Sequence, residues 1–257
     1  MEILEELKNE IEKSTYSVEE LQYIFYKTSK NIINNYVLQI NNLKIELKEL
    51  EFYFFDCQKH PDIYVHQNEL QKETSNFLYV HESWCNYGGL DLTFGNKKYY
   101  GGILIRGIKL NNIYIAGPAT IRNYIMEKLG KNFNGFIDMQ NYFNEIKNKI
   151  YLSKKDNIFL DIDIMHSTRY NLGKKENPIY KNAFYRFLDL DYLNAGTKFF
   201  LNTKKNINEI TKIKTISYLS GVNQDTKLSK EAEQIEKNIQ SDKILLNYVK
   251  KFKQYSN

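Results

Sequence analysis

Polar and apolar positions change period several times along the chain, and each change marks an element. Residues 2–14 read as a short helix. Ser17-Val18-Glu19-Glu20 has the form of a capping box, and the helix it opens continues through Leu21, Ile24, Phe25 and Ile32. From Tyr36 the pattern alternates. Val37 and Leu38 open one strand, Leu43, Ile45 and Leu47 mark a second, and Leu50, Phe52 and Phe54 a third. The apolar face slips by one residue at Lys48-Glu49, which predicts a bulge or bend there. Residues 76–82, 89–94 and 102–110 read as further strands, with a turn at 95–98 between two of them. Gly117 and Pro118 supply a cap and a first helical residue, and the helix they start runs to Gly130. Residues 139–150 read as helix and 158–164 and 185–190 as strands. Residues 228–252 read as a long polar helix with apolar repeats at Ile235, Ile239, Leu245 and Val249. Helices mixed with runs of short strands predict the α+β class with an antiparallel sheet.

Composition narrows the setting. A chain of 257 residues with 42% hydrophobic and 26% charged residues can bury one sizeable core. No apolar run is long enough to span a bilayer, so no membrane partner is expected. The acidic start lacks the basic-then-apolar order of a signal peptide, and a cytoplasmic protein is expected. Cys57 and Cys85 form neither a disulfide framework nor a zinc spacing. The net charge of +5 permits a polyanionic partner without demanding one.

Candidate chemistry lies in two stretches. In Glu49-Leu50-Glu51-Phe52-Tyr53, Glu51 and Tyr53 share one strand face and Leu50, Phe52 and Phe54 the other. A carboxylate flanked by aromatics is partly desolvated, which suits a general base. By pattern alone, Glu49 and Glu51 are the water-facing positions of a half-exposed strand. The second stretch, residues 78–93, has strand-like ends and a middle rich in Trp, Tyr and Gly. Its Trp84 is the one tryptophan of the chain. A lone tryptophan is commonly core, but its polar and glycine neighbours fit a hairpin tip that could enter a base stack.

At these residues the chain resembles the alkyladenine (3-methyladenine) DNA glycosylases. Glu51-Phe52-Tyr53 is similar to that family's Glu-x-Tyr, and Asp62-Ile63-Tyr64-Val65-His66 to its Asp-x-x-x-His. Leu78-Tyr79-Val80-His81, Trp84 and Asp91-Leu92 follow the spacing of its next strand, aromatic and Asn-Ile. Ile103-Leu104-Ile105-Arg106 resembles a strand ending in Leu-Leu-Arg, and Gly117-Pro118-Ala119 its Gly-Pro-Gly helix start. Ser167-Thr168-Arg169-Tyr170-Asn171-Leu172 and Tyr185-Arg186-Phe187 are looser counterparts. The likeness spans roughly residues 20–190.

The resemblance implies one domain over 1–191, a curved and mainly antiparallel sheet flanked by helices, followed by a mostly helical C-terminal extension over 192–257. It implies a monomeric hydrolase acting on double-stranded DNA in base excision, with no metal and no cofactor. A damaged base would be flipped out of the duplex. Glu51 would activate the attacking water, and Arg106 would hold that water or balance the carboxylate. Tyr53, His66, Tyr79, His81 and Asp91 would contact the flipped base, Trp84 would fill the gap in the stack, and Tyr87 and Arg169 would touch the DNA. His81 stands where the family has a stacking Tyr, Asp91 where it has a base-screening Asn, and Asn171 where it has a Gly, so the excised base is expected to differ.

Two rival readings compete. Asp161, Asp163 and His166, with Asp189 and Asp191, could hold a divalent ion, and Glu46-Leu47-Lys48 echoes a nuclease Glu-x-Lys. Alternatively the chain is a silent nucleic-acid-binding module that kept the fold.

Overall fold

A computed structural model describes residues 2–81, 88–156, 164–170, 172, 177–189 and 192. Two helices come first, α1 (Glu2–Lys13) and α2 (Val18–Asn35). Ser17 caps α2 by accepting the Glu20 amide N–H. The Glu20 carboxylate does not return to Ser17, as a full capping box requires. It accepts the Thr15 amide N–H at 2.6 Å and the Thr15 hydroxyl at 2.7 Å, which ties down the loop before the helix.

The remaining elements are β1 (Tyr36–Ile40), β2 (Leu43–Phe55), α3 (Glu69–Glu73), β3 (Ser75–Val80), β4 (Leu90–Phe94), β5 (Tyr100–Leu110) and β6 (Ile113–Ala116). After them come α4 (Pro118–Lys128), α5 (Phe136–Glu145), a 3-10 turn (Lys147–Lys149), β7 (Ile150–Lys154), β8 (Ile164–Ser167), α6 (Pro178–Lys181) and β9 (Arg186–Asp189). Every pairing among these strands is antiparallel. The order is β3-β4-β5-β2-β1-β7, with β6 on β5, β9 on β2 and β8 on β9. The sheet curls into a half-barrel, and the α+β class expected from the sequence holds.

The long strand β2 organises this sheet. One edge pairs with β5 along its length. The other pairs with β1 at residues 43–45 and with β9 at 49–51. The change of partner coincides with register shifts on either side of Glu49, at the bulge that the slipped apolar face predicts. Beyond it, Leu50, Phe52 and Phe54 face α2. Phe25 stacks on Phe52 with ring centroids 4.5 Å apart and meets Phe54 and Phe94 edge-on. All four rings are fully buried, and each contributes about 1.5–3 kcal/mol through area removed from water.

At the open side of the half-barrel, α5 lies against β3. The Gln140 side chain accepts the Val80 amide N–H at 2.8 Å and donates to the Leu78 carbonyl at 3.2 Å.

The structure corrects four expectations. The helix expected over 139–150 starts at Phe136 and ends at Glu145, and Ile150 instead opens β7, paired along β1. β6, unforeseen as a separate strand, returns from β5 through Asn111 and Asn112, both at positive φ. Glu49 and Glu51 do not face water; both are fully buried. Tyr192, assigned to the C-terminal extension, is buried against β2 and belongs with the domain. Of the strand expected at 158–164 only Ile164 is described. The helix expected at 228–252 lies outside the described residues.

Candidate active site

Pairing register assembles the site. Glu51 on β2 stands opposite Leu104 on β5 and Arg186 on β9. Leu104 stands opposite Asp91 on β4, Asp91 opposite Tyr79 on β3, and Arg186 opposite Ser167 on β8. Directly paired residues project to the same face. One transverse row therefore carries Ser167, Arg186, Glu51, Leu104, Asp91 and Tyr79 on the face turned away from α2. With strands about 4.8 Å apart, the Glu51 and Asp91 backbones are roughly 10 Å from each other.

Glu51 is held at both oxygens. Oε1 accepts a short hydrogen bond from the Tyr53 hydroxyl. Oε2 accepts the Tyr170 amide N–H at 3.0 Å and lies 3.4 Å from Arg106 Nε. Burial, followed by the Glu51 charge, pushes the Tyr53 hydroxyl well above its ordinary range, so Tyr53 remains the donor.

Arg106 serves a second carboxylate. Its Nε donates to Glu49 Oε1 at 3.1 Å. Burial works against the guanidinium charge, but Glu51 and Glu49 outweigh it and hold the proton more firmly than usual. Glu49 Oε2 accepts the Tyr192 hydroxyl at 3.2 Å, and Arg186 Nη1 lies 3.8 Å from Oε1. For Glu49 burial wins over both arginines, and its carboxyl is raised above the usual range. Gly107 makes room for this arrangement. A Cβ there would lie 2.5 Å from the Tyr192 ring and 2.8 Å from Glu49 Cβ. The Tyr170 ring lies beside two guanidinium groups, at 5.1 Å from Arg106 and 5.8 Å from Arg186.

A second polar group lies further along the face. Asp91 Oδ2 accepts Gln71 Nε2 at 2.8 Å and lies 2.8 Å from His81 Nε2. Burial disfavours the imidazolium, but Asp91 more than offsets it and raises the His81 pKa. The His81 ring lies 5.3 Å from His66 and 5.0 Å from Tyr79. His66 is exposed, whereas Tyr79 and Asp91 are buried. Gly102 on β5 makes room for the Gln71–Asp91 pair. A Cβ there would come within 2.8 Å of Gln71 Nε2 and Asp91 Oδ2.

Of the expected site residues, the structure brings Glu51, Tyr53 and Arg106 into one cluster and His66, Tyr79, His81 and Asp91 into a neighbouring one. Arg169, expected at the DNA, is an enclosed side chain. It is buried, pairs with Asp62 at 2.7 Å, donates to the Tyr180 carbonyl at 3.0 Å and lies over the Tyr53, Tyr64 and Tyr185 rings. A guanidinium so enclosed packs against the Tyr53 ring and ties it to Asp62 and the Tyr180 carbonyl. Trp84 and Tyr87 lie outside the described residues.

Neither a protein-family model nor a curated protein matches the chain.

The residues of the metal reading are only partly described. Asp161, Asp163 and Asp191 lie outside the described residues. Asp189 pairs with Lys48 at 2.9 Å, and the same lysine reaches Glu46 at 3.1 Å. His166 packs against Tyr26 and Phe184. No group of three or more His, Cys, Asp or Glu among the described residues is placed to hold a metal ion. No helix among them is long and apolar enough to cross a membrane.

Glu49, Gln71, Tyr170 and Tyr192 escaped the sequence reading. For three of them the available signal was a strand glycine, Gly107 against Glu49 and Tyr192 and Gly102 against Gln71, because glycine inside a strand marks a close approach by another group.

Proposed function

We propose that the protein is a monofunctional DNA glycosylase that flips a damaged base out of duplex DNA and hydrolyses its N-glycosidic bond. The observation that carries this reading is the Glu51 carboxylate. It is oriented at both oxygens, flanked by a guanidinium, and shares a sheet row with the polar group around Asp91. Glu51 takes a proton from water as that water attacks the anomeric carbon, and Arg106 steadies the carboxylate. His66, Tyr79, His81 and Asp91 line the place of the extruded base. Glu51 is closed to solvent here, so water reaches it only when the Tyr53 hydroxyl or the Tyr170 amide gives way.

The test is base release from a broad panel of duplex oligonucleotides, each carrying one alkylated, deaminated, oxidised or etheno-modified base, read by alkaline cleavage at the abasic site. Glu51→Gln is expected to lower release by about 10²–10⁴-fold while duplex affinity persists. Release undiminished in this variant ends the assignment. The full enclosure of Glu51 favours one second reading, a DNA-binding protein in which this carboxylate only holds the fold together. That reading predicts no release by the native protein and a loss of stability in Glu51→Gln.

A further inference from the structure

The Arg106 Nε–H lies between two carboxylates. Its hydrogen bond goes to Glu49, and Glu51 lies at ion-pair distance. Glu49 is fully buried and accepts the Tyr192 hydroxyl at its other oxygen. The bulge in β2 and the bare α-carbon of Gly107 make room for this geometry. A salt bridge to Glu51 alone needs none of it. The charged and titratable groups around the pair are Glu51 and Tyr53 on β2, Arg106 on β5, Arg186 on β9, Tyr192 after β9, and Arg169 and Tyr170 after β8.

We infer that Glu49 is a positioning residue: pinned by Tyr192, it takes a fixed share of the Arg106 guanidinium and so sets how much of that charge reaches Glu51. The inference rests on Glu51 being the base of the proposed reaction. A base tied wholly into an ion pair gives up its lone pair reluctantly, whereas one with no cation beside it takes a proton too early. Competition from Glu49 leaves Glu51 with only part of the Arg106 charge. Glu49 touches neither water nor sugar; it bears on Glu51 through the shared Arg106 and through its own negative charge.

The experiment compares Glu49→Gln with the native protein in two ways. One is the pH profile of base release on the duplex released fastest. The other is a carbon-13 titration of the Glu51 carboxyl, assigned by its disappearance in Glu51→Gln. With the competitor neutral, Arg106 turns fully to Glu51 and one like charge is gone, and both effects favour ionised Glu51. The acid limb of the profile and the carboxyl midpoint should move together to lower pH. The kcat should fall about ten-fold with KM unchanged. Tyr192→Phe destabilises ionised Glu49 and should move both readouts the same way by less. It also carries the test if Glu49→Gln does not fold. A limb and a midpoint that stay put in a folded variant overturn the inference. If the native protein releases no base yet the midpoint moves, the glycosylase reading fails while the hold of Glu49 on Arg106 stands.

Discussion

Arg169 and Asp62 meet at 2.7 Å with neither side chain exposed. Removing one member of such a pair leaves a charge stranded in a poorly polarisable interior. Arg169→Ala should therefore cost about 3–5 kcal/mol in urea denaturation, and Asp62→Asn combined with Arg169→Met should recover much of that loss. A phosphate-binding arginine behaves differently. Its loss would leave stability nearly intact and reduce the salt slope of DNA binding by about one. The same contrast applies to Glu51 and Glu49. Their strand alternation suggested exposure, but Arg106, Arg186 and Tyr192 close over that face, and side-chain period alone cannot report which face is solvated.

Among the elements, the hairpin joining β5 to β6 turns on Asn111 at φ 50° and Asn112 at φ 63°. Two successive positive φ values define a type I′ turn, in which Asn is tolerated and Gly preferred. Asn112→Gly should keep or raise the melting temperature, whereas Asn112→Val should cost about 1–2 kcal/mol. The Asn-Asn pair was a readable turn signal, but four residues of β6 offered too short an alternation to stand out. β7 escaped for a related reason. Only Ile150 and Leu152 of its five residues are buried, and Ile150 continues the apolar spacing of Met139, Phe143 and Ile146 closely enough to read as the last turn of α5. The elements that were read correctly, α1, α2 and β5, each carry a long periodic run that packs on one core, whereas the two strands read on either side of Lys48-Glu49 are one bulged strand, β2.

For the molecule as a whole, the sequence contained the residues of the site but not their register. Nothing in the order of residues says that Leu104 separates Glu51 from Asp91, or that a tyrosine 143 positions beyond Glu49 reaches it. Long-range pairing decides both. It also buries His60, whose Nδ1 lies 3.1 Å from the Tyr16 carbonyl and whose Nε2 lies 3.3 Å from the Tyr185 hydroxyl. Burial, only partly offset by Asp62 and the Tyr16 carbonyl, lowers its pKa from 6.5 to about 4. The unfolded chain then binds a proton that the folded state refuses. Stability is complete above pH 6.5 and falls as pH drops toward 4, by on the order of 3 kcal/mol. His60→Gln should flatten this loss when urea midpoints at pH 7 and pH 4.5 are compared.

The amide of Gln140 has an effect out of proportion to its size. Left bare, the outward N–H and C=O groups of a terminal strand recruit the matching strand of another molecule, and a curled sheet that stops short of closure keeps such a strand. By occupying Val80 and Leu78, one side chain does the work of a missing neighbour and guards that rim against edge-to-edge self-association.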